Sequence, residues 1–308
     1  MTDQPRKDLA ASVRDRLRNH ARTTGQDFQR VLVRYGIERL LYRLAQSGIR
    51  DRFVLKGAML FVAWADAPFR ATGDIDLLAF GDPAVDTAKS AFASLCDFKP
   101  NIDDGLIFQT ETIVVERTRE GEDYQGLHIR FDARLKNIRI PILIDVGFGD
   151  VIHPAALDID YPCLLADFPS PHIRAYPPAT VVAEKFDAMV RFGDQATRLK
   201  DHYDVWAISK TFEFDVQTLT EAVRQTLANR DRATPTDWPA SLTAAFGADE
   251  ANIKQWNAFI RRTAPTLTPP PFAELLAALR TFLGPVLRGL QTSAPALSGK
   301  WRDGRWTE

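Results

Sequence analysis

The chain has 308 residues, 45% of them hydrophobic and 26% charged, with 39 Lys and Arg against 40 Asp and Glu for a net charge of −1. That length admits two domains, each with its own core. The composition is ordinary for a soluble globular protein, and the near-zero charge excludes any global attraction to nucleic acid.

Charge is uneven along the chain. Residues 1–50 carry eleven Arg and Lys against five acids, an excess of six that could steer a polyanion or simply coat a solvated helix face. Cys96 and Cys163 have no motif spacing, which points to a reducing compartment. The N-terminus is polar, and no stretch approaches eighteen apolar residues. The expectation is a cytoplasmic protein with no membrane partner.

Taken in order, Leu9, Val13, Leu17 and Ala21 stand four apart and predict an amphipathic helix ending near Gly25. A second helix carries Phe28, Val31, Leu32, Tyr35, Leu40, Leu41 and Leu44 and stops at Gly48. Phe53 to Leu55 read as a strand, followed by a turn at Gly57, a short apolar helix from Ala58 to Trp64, and a loop containing Arg70 and Thr72. The next strand carries Asp74 and Asp76. Residues two apart in a strand share a face, so both carboxylates project together while Ile75 and Leu77 pack behind them. Such a pair repels itself unless a cation sits between, and a hard divalent ion, Mg²⁺, suits it best. The bland alternative is a strand edge with two solvated aspartates.

Asp82 and Pro83 predict a helix start, with Asp82 as the N-cap, running to about Leu95. From Glu111 the pattern turns to strands: TIVVERT, LHIRFDARL and RIPILIDVG, the last ending with Asp145 on the side opposite Ile140, Ile142 and Ile144. Residues 152 to 178 hold six prolines and read as a connection between domains. Beyond them the pattern is helical. The helix from Pro178 carries Glu184 and Lys185, and the next carries Arg198, Lys200, Asp201 and Asp204. Asp201 and Asp204 share a helix face, so spacing alone does not choose between them. The five histidines show no zinc spacing. The terminal WRDGRW reads as a docked or frayed tail, with base stacking as its rarer alternative.

KGAML followed by RATGDIDLL resembles the AbiEii/AbiGii nucleotidyltransferase toxins of type IV toxin–antitoxin systems, and the later Glu-Lys and Arg-x-Lys-Asp-x-x-Asp segments resemble that family's second block. The family usually has Gly-Gly or Gly-Ser where this chain has Gly57-Ala58. The resemblance implies a nucleotidyltransferase-fold α/β domain, a mixed sheet flanked by helices, over 1–175 and a helical C-terminal domain over 176–308. It implies transfer of a nucleotide from an NTP to an acceptor hydroxyl, with the tRNA 3′ end as acceptor, and a cognate antitoxin as partner. Asp74, Asp76 and Asp145 would hold Mg²⁺, and Lys56, Gly57, Ala58, Arg70 and Thr72 would hold the nucleotide. Lys185 would meet the triphosphate, with Asp201 or Asp204 holding the lysine or orienting the attacking hydroxyl. Two alternatives stand beside this: transfer to a small molecule or a protein hydroxyl, and a non-catalytic RNA- or partner-binding module on the same fold.

Overall fold

The computed structural model describes residues 8–64, 73–118, 126–193, 198–263, 265–292 and 298–307. The chain divides into two compact units. One comprises the described residues of 1–66, 72–149 and 158–175; the other comprises those of 150–157 and 176–308.

In the first unit, α1 (Leu9–Thr24) starts on Asp8, whose carboxylate accepts from the Ala11 amide, and ends on Gly25 in the left-handed region. Its stripe of Val13, Leu17 and Ala21 is buried. α2 (Phe28–Gln46), capped by Asp27, is buried on nearly every side beyond Val31, charged residues included. The Arg43 guanidinium forks onto Asp104 at 2.6 and 3.1 Å. Arg39 and Glu38 pair at 3.0 Å, and Glu38 also accepts the Leu164 amide at 2.6 Å. Arg16 meets Asp167, and Arg50 meets Asp158. Of the N-terminal basic excess, Arg39 and Arg43 are therefore spent inside the fold, while Arg16 and Arg50 are paired at its surface.

The strands are β1 (Phe53–Lys56), β2 (Ile75–Ala79), β3 (Leu106–Arg117), β4 (Gly126–Leu135), β5 (Ile138–Phe148), β6 (Leu157–Asp160) and β7 (His172–Ala175). They form a mixed sheet in the order β3-β4-β5-β2-β1-β7-β6. β2 runs antiparallel to β1 and parallel to β5, while β4 is antiparallel to both β3 and β5. Ile140, Ile142 and Ile144 of β5 are wholly buried, and α2 lies directly over them. A Cβ on Gly36 would meet Ile142 Cδ1 at 2.8 Å, so glycine is what lets the helix come this close. α4 (Val85–Asp97) packs on β3 and α2 through Ala88, Phe92 and Leu95.

Three details differ from the sequence reading. β3 begins at Leu106 rather than near Glu111, with its register shifting between Gln109 and Val114. α4 starts two residues later than expected; the Asp82 carboxylate caps the turn before it by accepting from the Ala84 amide at 3.0 Å. The proline-rich stretch is not a bare connector, since β6 and β7 lie within it, held partly by the Tyr161 amide donating to the Pro171 carbonyl.

The second unit is helical: α5 (Pro178–Phe192), α6 (Leu199–Thr211), α7 (Val216–Asn229), α8 (Ala244–Ala248), α9 (Glu250–Thr263) and α10 (Phe272–Gln291). Leu275, Leu276, Leu279, Phe282 and Leu283 of α10 are fully buried, and Trp256 stacks on Phe272 at 4.9 Å. The terminal segment is docked as a hairpin, β9 (Lys300–Arg302) and β10 (Arg305–Thr307), beside β8 (Phe214–Asp215). The Trp301 indole donates to Ser209 O at 2.6 Å, and Trp306 stacks on Phe282. The Trp301 ring is core, which removes the base-stacking alternative for it, while Trp306 is half-buried against Phe282.

Candidate active site

Strand register assembles the first cluster. Lys56 of β1 stands in register with Asp76 on β2, and Asp76 in register with Asp145 on β5. Asp145 in turn pairs with His128 of β4, and His128 with Glu116 of β3. Partners in register face the same way and stand one strand spacing apart, about 4.8 Å. One row of side chains, Lys56, Asp76, Asp145, His128 and Glu116, therefore crosses five strands on the face opposite the buried isoleucines. The His128 Nδ1–H donates to Asp145 Oδ1, both side chains being roughly half-exposed.

Gly57 closes the row at the end of β1. Its φ is +71°, a conformation that costs a side-chain-bearing residue about 1–2 kcal/mol. A Cβ there would also fall inside the Asp76 carboxylate. Both constraints select glycine, and they set the Asp76 carboxylate against bare backbone. Gly57–Met59 form a 3₁₀ turn that leads into α3 (Leu60–Trp64). Ala58 is buried there.

Of the expected trio of metal carboxylates, strand register aligns Asp76 with Asp145. Asp74 lies one residue before β2 begins, so strand alternation orients Asp76 and does not govern Asp74. Among the described residues no group of three or more His, Cys, Asp and Glu is gathered as a metal set. The pair Asp76 and Asp145 fits a hard cation chemically: both donors are carboxylate oxygens, and they are neighbours in register on one face. Arg70 and Thr72 lie outside the described residues. β5 also continues past Asp145 to Phe148, so that aspartate sits within a strand rather than at its end.

The second cluster belongs to the helical unit. Lys185 Nζ, on α5, lies 2.8 Å from Asp201 Oδ1 and 2.7 Å from Asp204 Oδ2, both on α6. Asp201 and Asp204 stand three apart, so one turn of α6 presents both to the same ammonium. All three are nearly buried. Burial pushes the Asp201 carboxyl up, but the adjacent Lys185 ammonium outweighs it and holds Asp201 below the ordinary carboxylate value. Spacing left Asp201 and Asp204 as alternatives; both bind the lysine.

A third group went unread in the sequence. Arg230, at the C-cap of α7, donates to Asp187 at 2.7 Å, Asp150 at 2.9 Å and Glu184 at 3.3 Å. Arg232 adds a 3.0 Å bond to Asp187, and the Tyr176 hydroxyl donates to Glu184 at 3.2 Å. Glu184 and Asp187 flank Lys185 on α5, so this network fixes the rotation of the helix that carries the lysine. No local signal marks it, because its members come from four separate stretches.

A mixed sheet with a carboxylate row beside a glycine turn, followed by a helical region, defines the nucleotidyltransferase fold class. The family model described as nucleotidyl transferase AbiEii toxin, type IV TA system, matches residues 39–278, and the chain belongs to that family. It is therefore a nucleotidyltransferase toxin of the type IV toxin–antitoxin class. Among solved structures it is similar to JHP933 from Helicobacter pylori, at 12% identity and a TM-score of 0.45, over 82% of this chain and 89% of that one. A second H. pylori chain is similar at 13% identity and a TM-score of 0.44, over 82% and 92%. No curated protein matches the chain. Among the described residues, no helix is long and apolar enough to cross a membrane.

Proposed function

We propose that the chain transfers a nucleotide from an NTP to the 3′-terminal hydroxyl of an RNA, tRNA being the acceptor the resemblance favours, and so blocks translation; a cognate antitoxin would restrain it. The acceptor oxygen attacks the α-phosphorus, the bond from that phosphorus to the bridging oxygen breaks, pyrophosphate leaves, and the hydroxyl proton passes to water. The observation that carries the reading is the in-register row of Lys56, Asp76 and Asp145 closed by Gly57.

Asp74, Asp76 and Asp145 would hold Mg²⁺, which supplies neutralisation of phosphate charge and acidifies the attacking hydroxyl. On the family resemblance Gly57 and Ala58 would stand beside the nucleotide's phosphates, with the space over Gly57 itself taken by the Asp76 carboxylate. Lys56 contributes a cation one strand from Asp76. His128 holds one oxygen of Asp145 and so orients its carboxylate. The family resemblance would give Lys185 a triphosphate contact; within its own unit the nearly buried Asp201 and Asp204 hold its ammonium in place.

The test is a labelled-NTP assay. Purified protein is incubated with each of the four nucleotides and Mg²⁺, against mixed tRNA, total protein and an aminoglycoside panel. Label in the 3′-terminal nucleotide of RNA is the expected result. Label confined to protein or small molecules would reject the RNA acceptor, and cellular toxicity that survives Asp76→Ala would reject catalysis altogether.

A further inference from the structure

The outer face of the β3-β4-β5 half of the sheet continues the carboxylate row in a regular grid. On β4, Leu127, Ile129, Phe131, Ala133 and Leu135 point inward and are buried, so His128, Arg130, Asp132 and Arg134 point outward. Register sets Arg134 beside Arg139 of β5, Asp132 beside Pro141, Arg130 beside Leu143, and His128 beside Asp145. On the other flank Ile107, Gln109, Val114 and Glu116 of β3 pair with the same four β4 residues. Along β5 from Asp145 to Arg139 the strand spans about 20 Å.

The grid is polar along its length. Its far row has two arginines and no acid, while its near row has Glu116, Asp145 and Asp76. The guanidiniums are held but not consumed. Arg134 spends its Nε–H on Gln109 at 3.0 Å, and Arg139 spends its own on Asp132 at 2.7 Å. Arg130 gives one Nη2 bond to Glu116 at 3.3 Å. Among the described residues, the terminal nitrogens of Arg134 and Arg139 have no carboxylate partner, and a fixed guanidinium fork of this kind suits a phosphate. Arg139 and Arg130 are 71% and 61% exposed. Between them stand apolar side chains that the fold leaves in water: Ile107 at 70% exposure, Leu143 at 48% and Val114 at 37%.

We propose that this face is the track on which the acceptor RNA lies, its single-stranded end reaching Asp145 and Asp76, its phosphates on Arg130, Arg134 and Arg139, and its bases against Leu143, Val114 and Ile107. The proposal rests on the reading of the chain as a transferase acting on RNA. Charge complementarity selects this occupant. A polyanion is drawn to the far row, and only its terminus meets the acidic row, where a bound cation is needed. The face sets exposed arginines on β4 and β5 beside exposed apolar groups on β3 and β5, and single-stranded nucleic acid uses both: cations for the backbone and apolar faces for the bases.

The experiment uses the full chain and a fluorescent single-stranded RNA ending in a free 3′ hydroxyl, with mixed tRNA as competitor, titrated by anisotropy across a salt series. R134Q/R139Q is expected to weaken binding at least tenfold and to flatten the salt dependence by about 1.4 in log–log slope. R134K/R139K, which keeps charge but loses the fork, is expected to fall between. Binding of a fluorescent NTP analogue serves as the control and should match wild type, since both side chains lie in a row apart from Lys56, Asp76 and Asp145. Equal RNA affinity in wild type and R134Q/R139Q would overturn the track while leaving the transfer reading in place. Wild-type protein that neither binds nor labels RNA would remove both. A double variant that binds RNA normally but loses the antitoxin would reassign the face to protein.

Discussion

The two units handle charge in opposite ways. In the sheet unit, Asp76, Asp145 and His128 are set side by side by register, half in water, with the isoleucines of β5 packed behind them. In the helical unit, Lys185 with Asp201 and Asp204, and Arg230 with Asp150, Glu184 and Asp187, are paired and nearly dehydrated. A carboxylate pair left partly in water adds little to folding and can take a cation. A buried pair is a commitment: once its charges have left water, removing one partner strands the other. The first arrangement suits chemistry, and the second suits holding a helix in place.

That contrast predicts opposite phenotypes. Asp76→Asn should lower nucleotidyl transfer about a thousandfold or more, roughly 4 kcal/mol of transition-state stabilisation. Its effect on the unfolding midpoint should be far smaller than that of Arg230→Met, since the substitution keeps the side chain's size and strands no fully buried charge. Initial rates with saturating NTP, read beside a denaturant titration, measure both. A collapse of stability would show that Asp76 is structural and break the contrast.

Arg230→Met should behave the other way. It leaves Asp150, Glu184 and Asp187 buried without their shared cation, at a cost of about 3–5 kcal/mol by denaturant unfolding. Activity should then follow the folded fraction. Arg230→Lys restores charge without the fork and should recover part of the loss. Gly57→Ala falls between the two classes: about 1–2 kcal/mol of backbone strain, plus displacement of the Asp76 carboxylate that it would overlap. Stability and transfer should both decline in that variant, measured by the same pair of assays.

The same division explains what is legible in the sequence alone. Asp76 and Asp145 are legible because strand alternation is local: an acid among isoleucines and leucines has to face the other side. Gly57 is legible because a glycine between a strand and an apolar helix is a turn with few substitutes. Lys185, Asp201 and Asp204 come from the family resemblance together with helical spacing. Asp74 rests on alternation carried to the residue just before β2, together with the family resemblance. His128 escapes notice because a single histidine in a strand has no spacing to betray it; only the register of β4 on β5 sets it against Asp145. Arg230 lies over forty residues from Glu184 and Asp187, so no periodicity links them. β6 and β7 are four residues each, too short to outweigh the prolines around them.

The smallest expected effect concerns the buried histidine beside the lysine cluster. His202 is 2% exposed, between Phe246 and Phe272, and its Nε2–H donates to Ser241 O at 3.1 Å. That bond fixes the tautomer and leaves Nδ1 as the unprotonated nitrogen. Burial pushes the His202 pKa below its ordinary value, although Asp201 pulls the other way. A histidine depressed in the folded state contributes stability above its unfolded pKa, near 6.5, and loses it as pH falls. Between about pH 6.5 and 5 the unfolded chain takes up a proton that the folded one refuses, so stability should fall by up to about 1.4 kcal/mol per pH unit. His202→Gln, which can still donate to Ser241 O, should flatten that slope. His20, whose pKa burial also lowers, remains in both proteins and cancels in the difference. The Asp201–Lys185 pair is lost only below the ordinary carboxylate range, so the two transitions separate on the pH axis. An unchanged slope in His202→Gln would mean that the helical unit tolerates charge at this depth, and the contrast with the sheet unit would then rest on Lys185 and Arg230 alone.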